Sequence, residues 1–160
     1  MFTKDGILAL HRWTHDCLDL VYNHAATLTQ RQFVAEIPGF GRASVRDQLV
    51  HIVGCEQAWV HGLQDLAWTR WSGEDFPRVP QLQEARQRVM VETVAYLERI
   101  PDEHLNRQLT DRPGGWVGPL RSPAFILHHV LTHAFHHKGQ VVAMFRLLGC
   151  PAPDTDLQRG

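Results

Sequence analysis

Histidines concentrate in one segment near the C-terminus, and their spacing suits metal binding. Five of the eleven histidines lie within the ten residues from His128 to His137. If this segment is helical, residues four apart share a face with Cβ atoms about 5–6 Å apart, so two imidazoles can converge on one ion. His129, His133 and His137 form a ladder of such pairs. The spacing nominates several pairs without choosing among them.

The number of histidines in this segment favours a metal over a purely structural role. A single histidine on an apolar helix face is usually a core residue that bonds to a carbonyl group. In a cluster, each buried donor or acceptor left unpaired costs about 1–3 kcal/mol. A metal uses the imidazole lone pairs and removes that cost. We therefore predict metal binding by part of the cluster.

The apolar pattern predicts four long helices and no strand. They run from Thr3 or Asp5 to about Thr29, from Ser44 to about Trp71, from Pro80 to Ile100, and from Ser122 to Gly149. The predicted N-terminal caps are Thr3 or Asp5 for the first helix, Ser44 for the second and Ser122 for the fourth. The simplest architecture is an all-α antiparallel four-helix bundle, with residues 1–160 as a single domain. The irregular segment 102–122 contains Trp116 among glycines, and long loops of this kind are often functional.

Metal sites in helix bundles are built from inward side chains on facing helices. His51, in the second predicted helix, is the natural complement to a histidine pair on the fourth. Three protein nitrogens with an open position are typical of a catalytic zinc site, where the pKa of bound water falls to about 7. Nickel, iron and copper also accept nitrogen ligands, so the residues alone do not choose the metal.

Three other kinds of active site lack the residues they need. A zincin motif requires glutamate after its first histidine, but Ala134 follows His133. A di-iron carboxylate bundle requires inward glutamates, whereas the range 122–149 contains no acidic residue. A serine hydrolase is unsupported because the chain has no nucleophile elbow.

Composition excludes further classes of function. The formal net charge is -1 and no run of Lys or Arg is dense, so we expect no nucleic-acid binding. No segment is apolar enough to cross a bilayer and no signal peptide is evident, so we expect a cytoplasmic protein without membrane contact. Cys17, Cys55 and Cys150 form no C-x-x-C pair. Cys55, one turn from His51, could be a core residue or could approach whatever His51 approaches, and we interpret both Cys17 and Cys55 as core residues. We interpret His11 and His15 as surface or boundary residues.

The residues from His129 to Gln140, followed by Arg146 to Gly149, resemble the signature of the DinB family, also called the DinB/YfiT-like metal-dependent enzymes. The similarity extends to residues 49–53 and covers nearly the whole chain in the order of elements. In that family one histidine of the second helix and two of an H-x-x-x-H-[RK]-G-Q motif hold the metal. Transferred to this sequence, the resemblance selects His51, His133 and His137.

The resemblance also implies an up-down-down-up bundle with a long crossover, a homodimer, and reactions with low-molecular-weight thiols. Zinc or nickel is the expected divalent metal. Gly139, in mid-helix, implies a close contact with another helix or backbone. Gln140 is expected either to hold a ligand or to fix the helix pairing, with ordinary core bonding as the alternative.

Two hypotheses follow for function. In the first, the protein is a metal-dependent thiol transferase or hydrolase for a small molecule, with His129 or Glu56 as candidate proton acceptors. In the second, the metal or the histidine cluster is structural and the bundle works by dimerising or docking on a partner, with exposed Trp68 and Trp71 at the end of the second helix as candidate interface residues. The damage-inducible name of the family suggests nucleic-acid binding, which the charge pattern does not support.

Overall fold

The computed structural model describes residues 2–111 and 120–156, and within these ranges the chain is helical with no strand. The elements are α1 (Lys4–Ala25), α2 (Gln30–Phe33), α3 (Val45–Leu63), a 3-10 turn (Gly73–Asp75), α4 (Val79–Arg99), α5 (Asp102–Leu105) and α6 (Pro123–Leu147). The predicted all-α class is confirmed. None of the described helices has the length and apolar character needed to span a bilayer.

The ends of the long helices follow the predicted capping residues. The hydroxyl of Thr3 accepts from the Gly6 N–H at the start of α1, and the hydroxyl of Ser44 accepts from the N–H of the third residue of α3. Ser122 caps α6 in the same way, with proline at the first helical position. Gly149 follows α6 with a φ of +74°, a conformation that glycine adopts without strain. These hydrogen bonds satisfy amide groups that a helix terminus leaves unpaired.

Two helices end earlier than predicted. The first ends at Ala25 because Thr29 caps α2 instead, in a reciprocal capping box with Gln32. The second, α3, ends at Leu63 because Asp65 takes a left-handed φ of +57°. Asp is one of the few residues other than glycine that adopt this conformation at modest cost. The chain from residue 64 onward therefore leaves α3, and the apolar residues there belong to a connection.

The four long helices pack in a closed cycle, in which α1 and α3 each contact both α4 and α6. The larger core cluster draws on all four helices. Its fully buried members include Tyr22, Leu49, Leu82 and Phe145. A second cluster at the other end includes Leu97, Leu105 and Leu127, so α5 contributes to it. Burying each side chain of this size contributes about 1.5–3 kcal/mol, which makes this packing the main source of rigidity for α3 and α6.

The C-terminal tail is fixed to α6. The buried ammonium of Lys138 donates to the backbone carbonyl and the hydroxyl of Thr155. The described part of the tail, up to residue 156, has no regular element. Trp116 and the glycines around it lie in 112–119, outside the described residues.

A buried polar cluster lies between α1, α3 and α4. The Nε2 atoms of His11 and His15 lie 2.8 and 3.1 Å from the two carboxylate oxygens of Glu56. The hydroxyl of Thr93 donates to the same carboxylate at 2.8 Å. The interpretation of His11 and His15 as surface or boundary residues is wrong, since they are only 2% and 3% exposed. Their acceptor is on a different helix, which spacing within α1 does not reveal.

Arg86 extends this cluster on the α4 side. Its guanidinium donates to Nδ1 of His15 at 3.1 Å and to the His15 carbonyl at 3.2 Å. It also pairs with Asp19 and lies over the ring of Tyr22. Although burial acts to raise the pKa of Glu56, the proximity of His15 and the hydrogen bonds from both histidines hold that pKa well below its usual value. The carboxylate is therefore ionised inside the protein.

We expect Glu56→Gln to lower the free energy of unfolding at pH 7 by roughly 3 kcal/mol, because the amide places a donor against a histidine N–H. Because the folded pKa is lowered, the stabilisation is present above the ordinary value of 4.5 and is lost as pH falls below it. Urea denaturation at pH 7 and at decreasing pH measures both effects. Glu84→Gln, an exposed change on α4, is the control and should stay near wild type. Equal stability of Glu56→Gln and wild type at pH 7 would contradict the expectation.

Candidate metal centre

Packing of α3 against α6 brings together the three residues predicted as metal ligands. The ring centroids of His51 and His133 are 4.9 Å apart, those of His51 and His137 are 4.5 Å apart, and those of His133 and His137 are 4.4 Å apart. His133 and His137 lie one turn apart on α6, as their spacing predicts. His51 projects from α3 toward this pair. Three imidazoles thus share one space between two rigid helices.

A hydrogen bond to Gln48 fixes the orientation of His137. The Nδ1 atom of His137 lies 2.6 Å from Oε1 of Gln48, a side chain with no exposed surface. The amide nitrogen of Gln48 donates to the Arg42 carbonyl at 3.1 Å, and a carbonyl can only accept. Oε1 must therefore face the histidine and accept its Nδ1–H. This tautomer leaves the Nε2 lone pair of His137 free, as in metal-binding histidines whose other nitrogen donates to a second group.

Gln140 extends this network by one step. Its Oε1 accepts from the amide of Gln48 at 2.6 Å, and its amide nitrogen donates to Nε2 of His136 at 2.7 Å. Gln140 therefore connects α6 to the residue that orients His137, as the sequence led us to expect. The expected close contact at Gly139 is wrong, because a Cβ there would meet no atom within 4 Å.

The three imidazoles have lowered pKa values. Burial lowers the pKa of His51 to about 4, with Arg42 and His137 adding repulsion. Burial and the neighbouring histidines lower the pKa of His133 to about 3, and burial with His136 and Arg42 lowers that of His137 to about 4. All three rings are therefore neutral near pH 7. Neutral rings are the form that binds a metal.

Cys55 also belongs to this site, contrary to its interpretation as a core residue. Its Sγ lies 3.3 Å from Nδ1 of His51, and one ligand atom from each of His51, Cys55 and His133 can be chosen so that all lie within 4.8 Å of one another. The thiol is half-buried, and burial raises its pKa. The signal in the sequence was the four-residue separation from His51. Cys17, by contrast, is 3% exposed and lies in the core as predicted.

The two predicted proton acceptors occupy different surroundings. His129 is exposed on α6, with its ring centroid 5.8 Å from that of His133 and 5.2 Å from that of Trp59. It therefore lies beside the three histidines. Glu56 is 4% exposed, and its carboxylate binds the histidines of α1. The structure thus places Glu56 in the other polar cluster.

That other cluster has ligand-type residues at similar spacing, since His11, His15 and Glu56 also lie within 4.8 Å of one another. Arg86 excludes a metal there on chemical grounds. Because its guanidinium donates to Nδ1 of His15, this nitrogen must carry the lone pair and Nε2 must carry the proton. Nε2 points at the carboxylate and has no lone pair to offer. At His137 the arrangement is reversed, because Oε1 of Gln48 accepts from Nδ1–H and the lone pair is on Nε2.

A cavity of about 760 Å³ opens beside His51 and Cys55. Its other lining residues include three tryptophans, three arginines and two acids. These are Trp59, Trp68, Trp71, Arg42, Arg46, Arg70, Asp47 and Glu74. Trp68 is 43% exposed, whereas Trp71 is half-buried, and its side chain lies beside the backbone of Gly54 on α3, where an added Cβ would be 3.5 Å from it. Trp71 is therefore a cavity wall, which corrects its assignment as an exposed residue at the end of the helix.

A sequence profile of the DinB family matches residues 1–160. The chain belongs to the DinB family. The crystal structure of a DinB-like protein from Bacillus cereus is similar in fold, with a TM-score of 0.71 and 18% sequence identity, over 94% of this chain and 95% of that one. No curated protein sequence matches the chain. Neutral imidazoles are one donor set that binds divalent metals, and His51, His133 and His137 supply three of them.

We expect the purified wild-type protein to hold one divalent ion per chain and His133→Ala to lose it, because the substitution removes the central imidazole. Metal content after dialysis, measured by plasma mass spectrometry, tests this. His128→Ala is the matched control on the same helix, because His128 contacts the ring of Phe2 instead of the site. Equal metal content in His133→Ala and wild type would contradict the assignment.

We expect Gln48→Leu to weaken metal binding by about 10–100-fold, since loss of an outer partner leaves a ligand histidine without a fixed tautomer. Gln140→Leu is the graded control, because it leaves the contact between Gln48 and His137 in place and should have a smaller effect. Competition with a chromogenic chelator measures both affinities, with thermal unfolding as a check on folding. Wild-type affinity in Gln48→Leu would reject the orienting role.

Proposed function

We propose that this DinB-family protein holds a divalent metal, zinc or nickel, through His51, His133 and His137 and uses it in the chemistry of a small molecule. The observation that carries the proposal is the convergence of three neutral imidazoles beside a cavity of about 760 Å³. When bound, such a metal acts as a Lewis acid and lowers the pKa of a water or thiol. Thiol transfer and hydrolysis are the two reaction types that this chemistry serves.

The cavity residues suggest the character of the substrate. Arg42 and Arg70 line the cavity, and neither guanidinium has an acidic partner among residues 2–111 and 120–156. Both lie close enough to His51 to lower its pKa. Trp59 and Trp68 add apolar walls that exclude water and pack on carbon. A low-molecular-weight thiol that carries carboxylate groups suits this combination, and its anionic part would bind the arginines.

His129 is the proton acceptor that we propose for this reaction. Its side chain is exposed next to His133 and against the ring of Trp59, where it can receive a proton from a bound thiol or water. Glu56 is buried and already accepts three hydrogen bonds, so we assign it to stability.

We further propose that the four long helices run up-down-down-up and that residues 64–78 are the crossover from α3 to α4. We also propose that the protein is a cytoplasmic homodimer. The 19 residues of α3 span about 28 Å. The connection of 15 residues between Leu63 and Val79 can extend to about 50 Å, so it can return the chain to the same end. The resemblance to the DinB family supports the up-down-down-up order and the homodimer.

A second candidate function is a non-enzymatic dimeric bundle with a structural metal. Cys55 favours it, because a thiol against His51 can complete a closed set of four protein ligands. The two functions differ in whether the metal is available to a substrate.

A thiol-transfer screen tests the proposal. Common cellular thiols are supplied with an electrophilic acceptor, and loss of free thiol is measured by absorbance. Metal-loaded wild type and His128→Ala should accelerate this loss, whereas His133→Ala should not. Chromogenic esters in parallel wells detect hydrolysis. If metal-loaded wild type and His133→Ala remain equally inactive on every thiol and ester, the structural function is favoured.

A further inference from the structure

The candidate site receives one pair of possible ligands from each of two helices. His133 and His137 are four residues apart on α6, and His51 and Cys55 are four residues apart on α3. Side chains at this separation lie on the same helix face about one turn apart. The contact between α3 and α6 therefore places two pairs opposite each other, with three imidazole nitrogens and one sulfur.

The thiol of Cys55 is oriented toward this site. Its sulfur lies 3.3 Å from Nδ1 and 3.7 Å from Nε2 of His51, and within the described ranges it has no other hydrogen-bond partner. One ligand atom from each of His51, Cys55 and His133 can be chosen so that all lie within 4.8 Å of one another. A metal ion placed between such atoms would require only small side-chain rotations to reach ligand distances of about 2.0–2.3 Å.

The other two cysteines have different surroundings. Cys17 is buried in the core on α1. Cys150, beyond the end of α6, accepts from the side chain of Gln32 at 3.2 Å. Within the described part of the chain, the thiol of Cys55 alone faces histidines. Its position is therefore specific to the candidate metal centre.

We propose that Cys55 is a fourth ligand of the metal, which makes the site three-nitrogen, one-sulfur instead of three-nitrogen with an open position. The inference rests on the metal site proposed above and adds a residue to it. Tetrahedral zinc accepts mixed histidine and cysteine ligands, and a thiol that coordinates the metal binds as the thiolate. Sulfur also makes the site softer, which favours zinc over the harder divalent ions.

The position of Cys55 affects how a substrate could reach the metal. Cys55 and His51 both line the cavity, and His133 and His137 are not among its lining residues. A substrate that enters from the cavity would therefore meet Cys55 and His51 first, and a metal held by all four residues would become open to it if the Cys55 thiolate were displaced. Thiolate-forming substrates are the ones best suited to compete for that position.

Cobalt substitution tests the proposal with a spectroscopic readout that is independent of activity. The stripped protein is reloaded with Co²⁺, and sulfur-to-cobalt charge transfer is recorded in the near ultraviolet, with cobalt content measured in parallel. We expect an intense band in wild type and in Cys150→Ser, the matched control. Cys55→Ser should bind cobalt with lower affinity and lack the band, while circular dichroism verifies that it is folded.

The outcomes separate this inference from the metal site itself. Wild type that binds stoichiometric cobalt without the band, or a band that persists in Cys55→Ser, overturns the role of Cys55 and leaves the three histidines in place. Wild type that binds no cobalt overturns the metal site and this inference with it. If Cys55→Ser does not fold, alkylation of wild type decides. Zn²⁺ should slow labelling of Cys55 but not of Cys150, and equal labelling rates at Cys55 with and without Zn²⁺ overturn the role.

Discussion

The packing of α3 against α6 is the constraint on which the candidate site depends. Gln48 makes this contact specific, because its buried amide uses both donors and its oxygen in hydrogen bonds to the Arg42 carbonyl, Gln140 and His137. An amide with no exposed surface cannot exchange these partners for water, so a shift of either helix would leave buried groups unpaired. The hydrogen-bond network therefore sets both the relative position of the helices and the tautomer of a candidate ligand.

Two faces of α3 carry polar clusters of opposite chemical character. On the face toward α6, the rings of His51, His133 and His137 share one space, and His51 also lines the adjacent cavity. On the face toward α1 and α4, the carboxylate of Glu56 accepts from His11, His15 and Thr93, and Arg86 donates to His15. In this second arrangement the Nε2–H groups of both histidines are already paired with the carboxylate, although Nδ1 of His11 and Nε of Arg86 have no hydrogen-bond partner among the described residues. In the first arrangement the Nε2 lone pair of His137 is free. This difference explains why similar residue types at similar distances support different functions.

The sequence predicted those features that depend on one element at a time. Caps at Ser44 and Ser122 and the stacked pair on α6 follow from local rules, and these were found. Bundle geometry nominated His51 from α3, and family resemblance chose His133 and His137 among the possible pairs on α6. Features that depend on a contact between helices were missed: His15 appeared to be a surface residue because its acceptor lies on α3 and its donor on α4. Cys55 had the correct spacing, but spacing alone does not distinguish a buried thiol from one that faces a site.

The early end of α3 was missed for a different reason. Apolar residues continue the helical pattern past Leu63, but the left-handed conformation of Asp65 stops the helix there. Glycine is the usual residue for this conformation, so an aspartate in its place gave no clear stop signal. The result matters for the site, because the released segment brings Trp68, Arg70 and Trp71 across to form the cavity wall.

The hydrogen bond that orients Gln48 ends on the main chain of residue 42, while the side chain of the same residue lines the cavity. A peptide carbonyl is present whatever side chain the position carries. Selection can therefore replace Arg42 to suit a different small molecule without disturbing the orientation of His137. At this one position, the side chain that contacts the small molecule can change while the geometry of the candidate ligands stays the same. Related proteins with a common scaffold can diverge by this route in what they bind.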